Sequence, residues 1–98
     1  MNIQASSYQE ESKAALTVIH SKKTEPLRKC VQDAMQRYFD HLDGHHASNL
    51  YRLVMNEVEA PLLESVMKYT GGNQTQAATL LGISRSTLRK KLSLYGLD

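Results

Sequence analysis

The sequence predicts an all-α protein, a four-helix subunit that ends in a helix-turn-helix and begins with an N-terminal arm. Apolar residues recur three and four positions apart over most of residues 24–98, which is the spacing of amphipathic helices. Glycine or Asp-Gly follows each of these apolar stretches, as expected at helix ends. A globular composition over 98 residues is enough for one small domain with an arm.

Residues 1–23 form the predicted arm. They are polar apart from Leu16-Thr17-Val18-Ile19, a segment that favours a β-strand. No strong turn pair such as Asn-Gly follows it, and the pattern lacks a clear second strand. We therefore expect this segment to be a flexible arm or a weak β-hairpin.

The first helix is expected to begin near Thr24, which can cap it, with Pro26 in its first turn. Asp43-Gly44 is a turn signal that ends the helix. Its apolar residues cover about half of the helix circumference, which is more than a contact between two helices needs. These residues are Leu27, Cys30, Val31, Ala34, Met35, Tyr38, Phe39 and Leu42.

The second helix is expected to run from a Ser48 cap to about Tyr69, with a kink at Pro61. Its apolar residues lie almost all the way round, so other protein surfaces should surround it. The first two helices expose more apolar surface than two short C-terminal helices can cover. An intertwined homodimer, in which residues 24–70 of two chains interleave, would cover this surface. The alternative is a monomeric bundle with a well-packed core.

Residues 71–98 form the predicted helix-turn-helix. Asn73 can cap a short helix over residues 74–81, and Ser84 can cap a second one over residues 85–95. Helices that cross at a tight turn need a small residue where they meet. Three further residues meet the needs of this packing: Ala78 at the crossing, Gly82 in the turn and Leu88 as the anchor of the second helix.

Charge divides the chain at the same place. Residues 1–67 contain seven Lys/Arg and nine Asp/Glu, a net charge of −2, whereas residues 68–98 contain five and one, a net charge of +4. On the last helix Leu88 and Leu92 share one side, and the cations share the other. A basic face with small hydroxyls fits the major groove of double-stranded DNA. The alternative is an amphipathic helix whose basic face is merely solvated.

Within this face the position of each cation suggests a role. Arg85 lies in the first turn of the helix, where side chains reach deepest, and its guanidinium can grip guanine O6 and N7 together. Arg89 and Lys90, one turn later, are better placed for phosphates. Asn73 and Thr75, at the start of the preceding helix, can add hydrogen bonds to a phosphate.

The same segments resemble the Fis family (factor for inversion stimulation) of bacterial DNA-binding proteins. The resemblance rests on residues 72–78 (GNQTQAA), 81–85 (LGISR) and 87–92 (TLRKKL), with residues 57–63 (EVEAPLL) upstream, and extends over roughly residues 24–98. It implies a homodimer whose first two helices form the core. The last two helices of each chain form a DNA reader. The distance between the two readers of the dimer is shorter than that between adjacent major grooves of straight DNA, so binding bends a duplex with an A/T-rich centre.

The resemblance also assigns individual contacts. It implies base contacts from Arg85 and Ser84, although Ser84 stands where the family typically has asparagine, and its shorter side chain favours capping. Gly71, Ser93 and Leu94 stand where the best-known pattern has cations, which predicts a less steep loss of affinity with salt. The implied contacts to the DNA backbone are those of Asn73, Thr75, Thr87, Arg89 and Lys90.

The biological role that the resemblance implies is that of a nucleoid-associated transcription regulator and activator in the bacterial cytoplasm. A surface at residues 68–74 would meet RNA polymerase, and the arm would touch a DNA recombinase during site-specific recombination. The main alternative is a helical adaptor that dimerises and binds protein through its arm. A second alternative, the C-terminal domain of an NtrC-type activator, needs an upstream ATPase domain, and we expect none because the chain begins with methionine.

Several other classes of protein find no support. His41, His45 and His46 are interpreted as part of a solvated turn, because no cysteine or convergent carboxylate completes a metal site. Cys30 is a single cysteine, which excludes a disulfide framework and suits a reducing compartment. No apolar run is long enough to span a membrane, and no nucleophile or phosphate-loop motif is present. We therefore expect neither an enzyme nor a cofactor.

Overall fold

The structure, a computed structural model, describes residues 16–20 and 23–98. In these residues a β-hairpin precedes four helices, which confirms the predicted class of subunit. The strands are β1 (Thr17–His20) and β2 (Lys23–Pro26), and the helices are α1 (Leu27–Asp40), α2 (Leu50–Tyr69), α3 (Gln74–Leu81) and α4 (Arg85–Leu94). The chain divides into two compact units, Met1–Ala47 and Ser48–Asp98.

The hairpin supplies the second strand that the sequence pattern did not reveal. Strand β1 pairs antiparallel with β2, with Thr17 opposite Pro26 and His20 opposite Lys23. The pattern misled us because proline cannot donate to a strand ladder, yet Pro26 is tolerated at the end of a strand. The expectation of a flexible arm at residues 1–15 lies outside the described residues.

Helix α1 begins later than its sequence predicts. Pro26 is the N-cap, with φ −66° and ψ 150°, and no side chain caps the helix. Thr24 is not the cap because it lies inside β2, and Pro26 stands before the first turn rather than in it. The predicted stop is confirmed, since Asp43 and Gly44 both have positive φ and form the turn after the helix.

No residue of α1 is fully buried. Its apolar side chains are half-buried at best, and both Leu27 and Phe39 are exposed. The ring of Tyr38 packs edge-on against that of Phe39, with centroids 5.7 Å apart. Among the described residues of its unit, much of the apolar side of this helix is therefore not buried.

Helix α2 carries two different apolar faces. Leu63 and Val66 are buried against the rest of the unit Ser48–Asp98. A second set of large apolar side chains is exposed and falls within ~40° around the helix axis at 100° per residue. We call this set the α2 stripe; its members are Tyr51, Val58, Leu62 and Tyr69.

The start of α2 differs from the sequence prediction. Its N-cap is Asn49, in the left-handed conformation with φ 56°, so Ser48 is not the cap. The helix continues through Pro61 as one element of 20 residues, so the proline does not end it, as predicted, and the kink expected there stays a prediction. After Tyr69 the chain leaves through Gly71 and Gly72, which both have positive φ.

Helices α3 and α4 pack on α2 around one small core. Ala77 is fully buried and Ala78 nearly so, and together they meet Leu88 and Leu92, which expose nothing. This confirms that Ala78 and Leu88 lie where the two helices meet. The fully or nearly fully buried residues are Leu63, Val66, Ala77, Ala78, Leu88 and Leu92, with Met67, Leu81, Ile83, Tyr95 and Leu97 packed around them.

The turn between α3 and α4 has the geometry that its glycine predicts. Gly82 has φ 74°, and its N–H donates to the carbonyl of Thr79 at 3.2 Å. The N–H of Ile83 donates to the carbonyl of Ala78 at 3.0 Å. These two bonds define a Schellman motif, which satisfies the last carbonyls of α3 and fixes the direction in which α4 begins.

Candidate nucleic-acid interface

The buried side of α4 determines which side chains point outward. Leu88 and Leu92 are fully buried against the core, so the opposite side of this helix faces solvent. This confirms the division between an apolar side and a basic side that the sequence predicts. The outward face of α4 consists of Arg85, Ser86, Arg89, Lys90 and Ser93, all of them exposed.

The three cations of this face have no protein partner among the residues that the structure describes. Arg85 is the first residue of α4, and Arg89 and Lys90 follow one turn later. Within the described residues none of the three makes an ion pair or a side-chain hydrogen bond. Their charges are therefore available to an anionic partner.

Ser84 caps α4, as its short side chain favours. The backbone N–H of Thr87 donates to Ser84 Oγ at 3.2 Å. In the other direction Ser84 Oγ donates to Thr87 Oγ1 at 2.9 Å, and Ser86 Oγ lies 3.2 Å away. The hydroxyls of Ser84 and Thr87 are thus engaged with each other, and the DNA contacts of both residues stay predictions.

The start of α3 offers a second set of donors. Asn73 caps this helix, and its Oδ1 accepts a hydrogen bond from the backbone N–H of Gln76 at 3.0 Å. The side-chain nitrogen of Asn73 and the hydroxyl of the exposed Thr75 remain available to a phosphate. The positive end of the helix dipole adds to this site, because the first N–H groups of a helix have no partner within it.

Sequence reasoning missed one polar cluster beside this face. Lys91 Nζ donates to Glu59 Oε2 at 2.9 Å, and the Tyr95 hydroxyl donates to Glu59 Oε1 at 2.7 Å. The Tyr95 oxygen also lies 3.2 Å from Asn56 Oδ1. We call Glu59, Lys91 and Tyr95 the Glu59 clamp.

The clamp changes the ionisation of its members. The hydrogen bonds from Lys91 and then from Tyr95 hold the pKa of Glu59 below its usual value, and the positive charge of Lys91 acts in the same direction. The pKa of Tyr95 is raised, because its hydroxyl donates to a carboxylate. Lys91 is thus held against α2 while its neighbour Lys90 is free.

A signal for this clamp does exist in the sequence. Glu59 lies on the same side of α2 as Leu63 and Val66, four and seven residues later. A carboxylate in a buried stripe requires a partner. The partner, however, is 32 residues away in the sequence, so its identity depends on the way α4 packs.

Other candidate features add no site. Within the described residues no three His, Cys, Asp or Glu side chains converge as metal ligands. His41 is instead close to its own helix, with Nδ1 2.7 Å from the carbonyl of Arg37. Of the helices that the structure describes, none has the length and apolar character to cross a bilayer.

Comparison with known proteins matches both halves of the chain to models of the same family. A family model described as the bacterial regulatory protein, Fis family, matches residues 54–95, and one described as the DNA-binding protein Fis N-terminal domain matches residues 1–47. Proteins named DNA-binding protein Fis from Actinobacillus succinogenes and Yersinia enterocolitica are each 56% identical over 73 residues, which is 74% of both chains. The protein of that name from Histophilus somni is 56% identical over 72 residues.

Proposed function

Since the chain belongs to the Fis family, we propose that it is a homodimeric, DNA-bending, nucleoid-associated protein and transcription regulator. Family membership makes it a DNA-binding regulator and not an enzyme.

The outward face of α4 is the observation that best supports the proposed DNA contacts. Three cations without protein partners lie on a helix that is anchored by two buried leucines on its other side. One α-helix fits the major groove, and its N-terminal side chains contact the bases. Arg85 would therefore grip a guanine, whereas Arg89 and Lys90 would bind phosphates and set the register.

The remaining contacts come from the two helix caps. Asn73 and Thr75 at the start of α3 would bind the DNA backbone through side-chain and backbone donors. Thr87 would do so from α4. A base contact from Ser84 would require the hydroxyl to leave Thr87, so capping is its first role.

Dimerisation follows from the surface that one chain leaves uncovered. Tyr51 and Tyr69 of the α2 stripe are 80% and 82% exposed, and α1 has no fully buried residue. Large exposed apolar side chains of this kind favour an interface, and a second copy offers a matching surface through twofold symmetry. Residues 24–70 would then form the dimer core, with residues 71–98 of each chain as the DNA reader.

Bending follows from the dimer. A shared core fixes the distance between the two α4 helices, and the family resemblance implies a distance shorter than that between adjacent major grooves. The duplex must then curve, at a cost that is lowest where an A/T-rich centre narrows readily. RNA polymerase at residues 68–74 and a recombinase at the arm stay predictions of the resemblance.

Selection of bound duplexes from a random pool tests the DNA contacts. We expect two symmetric guanines that flank an A/T-rich centre. Arg85→Ala should remove the preference for guanine at a cost of about 1–3 kcal/mol for a bidentate contact. Arg52→Ala is the matched control, because Arg52 is an exposed arginine on α2, outside the proposed reader. An unchanged guanine preference in Arg85→Ala would contradict the assignment.

Sedimentation and gel mobility test the rest of the proposal. The purified chain should sediment as a dimer and should slow circularly permuted duplexes in the pattern of a bend. A stable monomer, or a complex with straight DNA, would refute the proposed mechanism. The absence of any saturable complex at physiological salt would instead favour the helical adaptor.

A further inference from the structure

Beyond the turn that sets its starting direction, two kinds of side-chain contact hold α4 in place. Leu88 and Leu92 pack into the core, and the Glu59 clamp ties the C-terminal end of the helix to α2. Arg85 stands at the other end of the same helix, which is about 15 Å long at 1.5 Å per residue. Any change in the orientation of α4 is therefore passed on to Arg85.

The leucine contacts alone leave one motion poorly restrained. Burial of apolar surface depends on area and has no preferred direction. Leu88 and Leu92 lie four residues apart and form a single ridge along the helix. A helix that rests on one ridge can roll about it with little loss of buried area.

The Glu59 clamp restrains the roll of α4 about the Leu88–Leu92 ridge. A single carboxylate receives Lys91 on one oxygen and Tyr95 on the other, at 2.9 and 2.7 Å. Hydrogen bonds weaken steeply when the angle at the hydrogen changes, so these two bonds resist a roll of the helix. Lys91 and Tyr95 are one helical turn apart and thus fix the end of α4 at two points.

We propose that Glu59 is a positioning residue for DNA recognition, which orients Arg85 by holding α4 through Lys91 and Tyr95. The inference rests on the proposed DNA-binding function of α4. It also assigns Lys91 a different role from the adjacent Lys90. Lys91 serves the orientation of the helix, and Lys90 serves a phosphate.

Half-exposed ion pairs add little to folding stability, so the effect of the clamp should be found in the discrimination between DNA sequences. The test compares Glu59→Gln with Glu57→Gln. Glutamine keeps the shape of Glu59 but loses its charge, and one of the two carboxylate oxygens becomes an N–H donor. Lys91 and Tyr95 then no longer both meet an acceptor oxygen at the observed positions. Glu57 is exposed on the same helix, without a bond to the described residues, and its replacement removes the same charge.

The measured quantity is the ratio of two dissociation constants. One is for the best duplex that the wild-type chain selects, and the other is for a shuffled duplex of equal length and composition. Both variants should bind the shuffled duplex somewhat more tightly, because each loses one negative charge. The ratio should fall about tenfold in Glu59→Gln, as for a weakened base contact, and should stay unchanged in Glu57→Gln.

A second variant separates positioning from folding. Tyr95→Phe removes one hydroxyl and no charge, and its ratio should fall about threefold because one of the two bonds remains. Melting followed by circular dichroism identifies the folded variants. If Glu59→Gln does not fold, Tyr95→Phe decides the question.

Salt titration gives an independent measurement. Lys90→Gln should lower the slope of log affinity against log salt by about 0.9 for each phosphate that the side chain no longer neutralises, whereas Lys91→Gln should leave the slope unchanged and lower the ratio. Equal ratios in the wild type, Glu59→Gln and Tyr95→Phe would refute the positioning role alone. A wild-type chain that binds neither duplex would refute the proposed function, and the positioning role with it.

Discussion

The Ser84 hydroxyl is an acceptor and a donor within the same helical turn. It receives the backbone N–H of Thr87 and donates to the hydroxyl of that residue. The family resemblance implies an asparagine at this position, long enough to reach a base. Serine keeps the helix cap but has a shorter side chain, so Arg85 is the residue that we propose to contact a base.

Ser84→Asn should restore the second base contact. Asparagine caps a helix about as well as serine, so the free energy of unfolding should change by no more than about 0.5 kcal/mol. The longer amide should add a preference at one more base pair beside the guanine, measured by selection from a random pool. Ser48→Asn, at an exposed position outside the reader that caps no helix, is the control. Identical preferences in the wild type and Ser84→Asn would contradict this account.

At the scale of elements, glycines in the left-handed conformation end three of the four helices. Gly71, Gly82 and Gly96 have φ 63°, 74° and 66°. In each case the next residue donates its N–H to a carbonyl five residues earlier, as Gly72 does to Met67 at 2.9 Å and Leu97 to Leu92 at 2.8 Å. The direction of each following segment is set by this motif.

Gly82→Ala should destabilise the helix-turn-helix through the backbone alone. A Cβ at this position would meet no atom within 4 Å, so the cost comes from φ and not from a clash. We expect a loss of about 1–2 kcal/mol in the free energy of unfolding, measured by urea denaturation. Gly82→Asn should lose less, because asparagine adopts the left-handed conformation more readily. Equal stability of Gly82→Ala and the wild type would show that the turn is not held at this φ.

The N-caps of the four helices show which features the sequence predicts correctly and which it does not. Asn73 and Ser84 cap the helices that directly follow them, as local pattern predicts, and both cap bonds are present. Thr24 failed as a cap because it pairs with Ile19 in the β-hairpin, and Ser48 failed because the helix starts one residue later. Capping chemistry thus predicted both helices of the helix-turn-helix, and it failed where strand pairing or a neighbouring residue with another backbone conformation competed for the same position.

The candidate site shows the same limit. The outward face of α4 could be derived from the spacing of Leu88 and Leu92, because helical periodicity is a local property. The Glu59 clamp could not be derived in that way, since the distance between Glu59 and Lys91 depends on how α2 and α4 pack. Periodicity shows that Glu59 is half-buried and does not show what it binds.

At the scale of the whole molecule, the number of cations near DNA determines how strongly affinity depends on salt. The chain has a net charge of only +2, and Gly71, Ser93 and Leu94 occupy positions that are cationic in the best-known pattern. Leu94 is 71% exposed, so it adds apolar surface at a place where a cation would meet phosphate. Affinity for DNA should therefore depend less on salt than in relatives that carry those cations.

Restoring cations should steepen the salt dependence. In a chain with Ser93→Lys and Leu94→Lys, the slope of log affinity against log salt should grow by about 0.9 for each phosphate that the new lysines neutralise. Fluorescence anisotropy of a labelled duplex at several salt concentrations provides the slope. Lysine at Ser48, an exposed polar position in the loop before α2 and outside the reader, is the control. An equal slope in the double variant and the wild type would show that these positions do not approach the DNA.

The core beneath α3 and α4 is drawn entirely from residues 63–97 among those described. A family model that begins at residue 54 matches this region by itself. Because its core is local, we expect this region to fold when it is fused to an unrelated oligomeric protein. The fusion should keep the proposed preference for particular base pairs. The fusion partner would set the distance between two copies of the region, and that distance would set the angle by which the bound duplex bends.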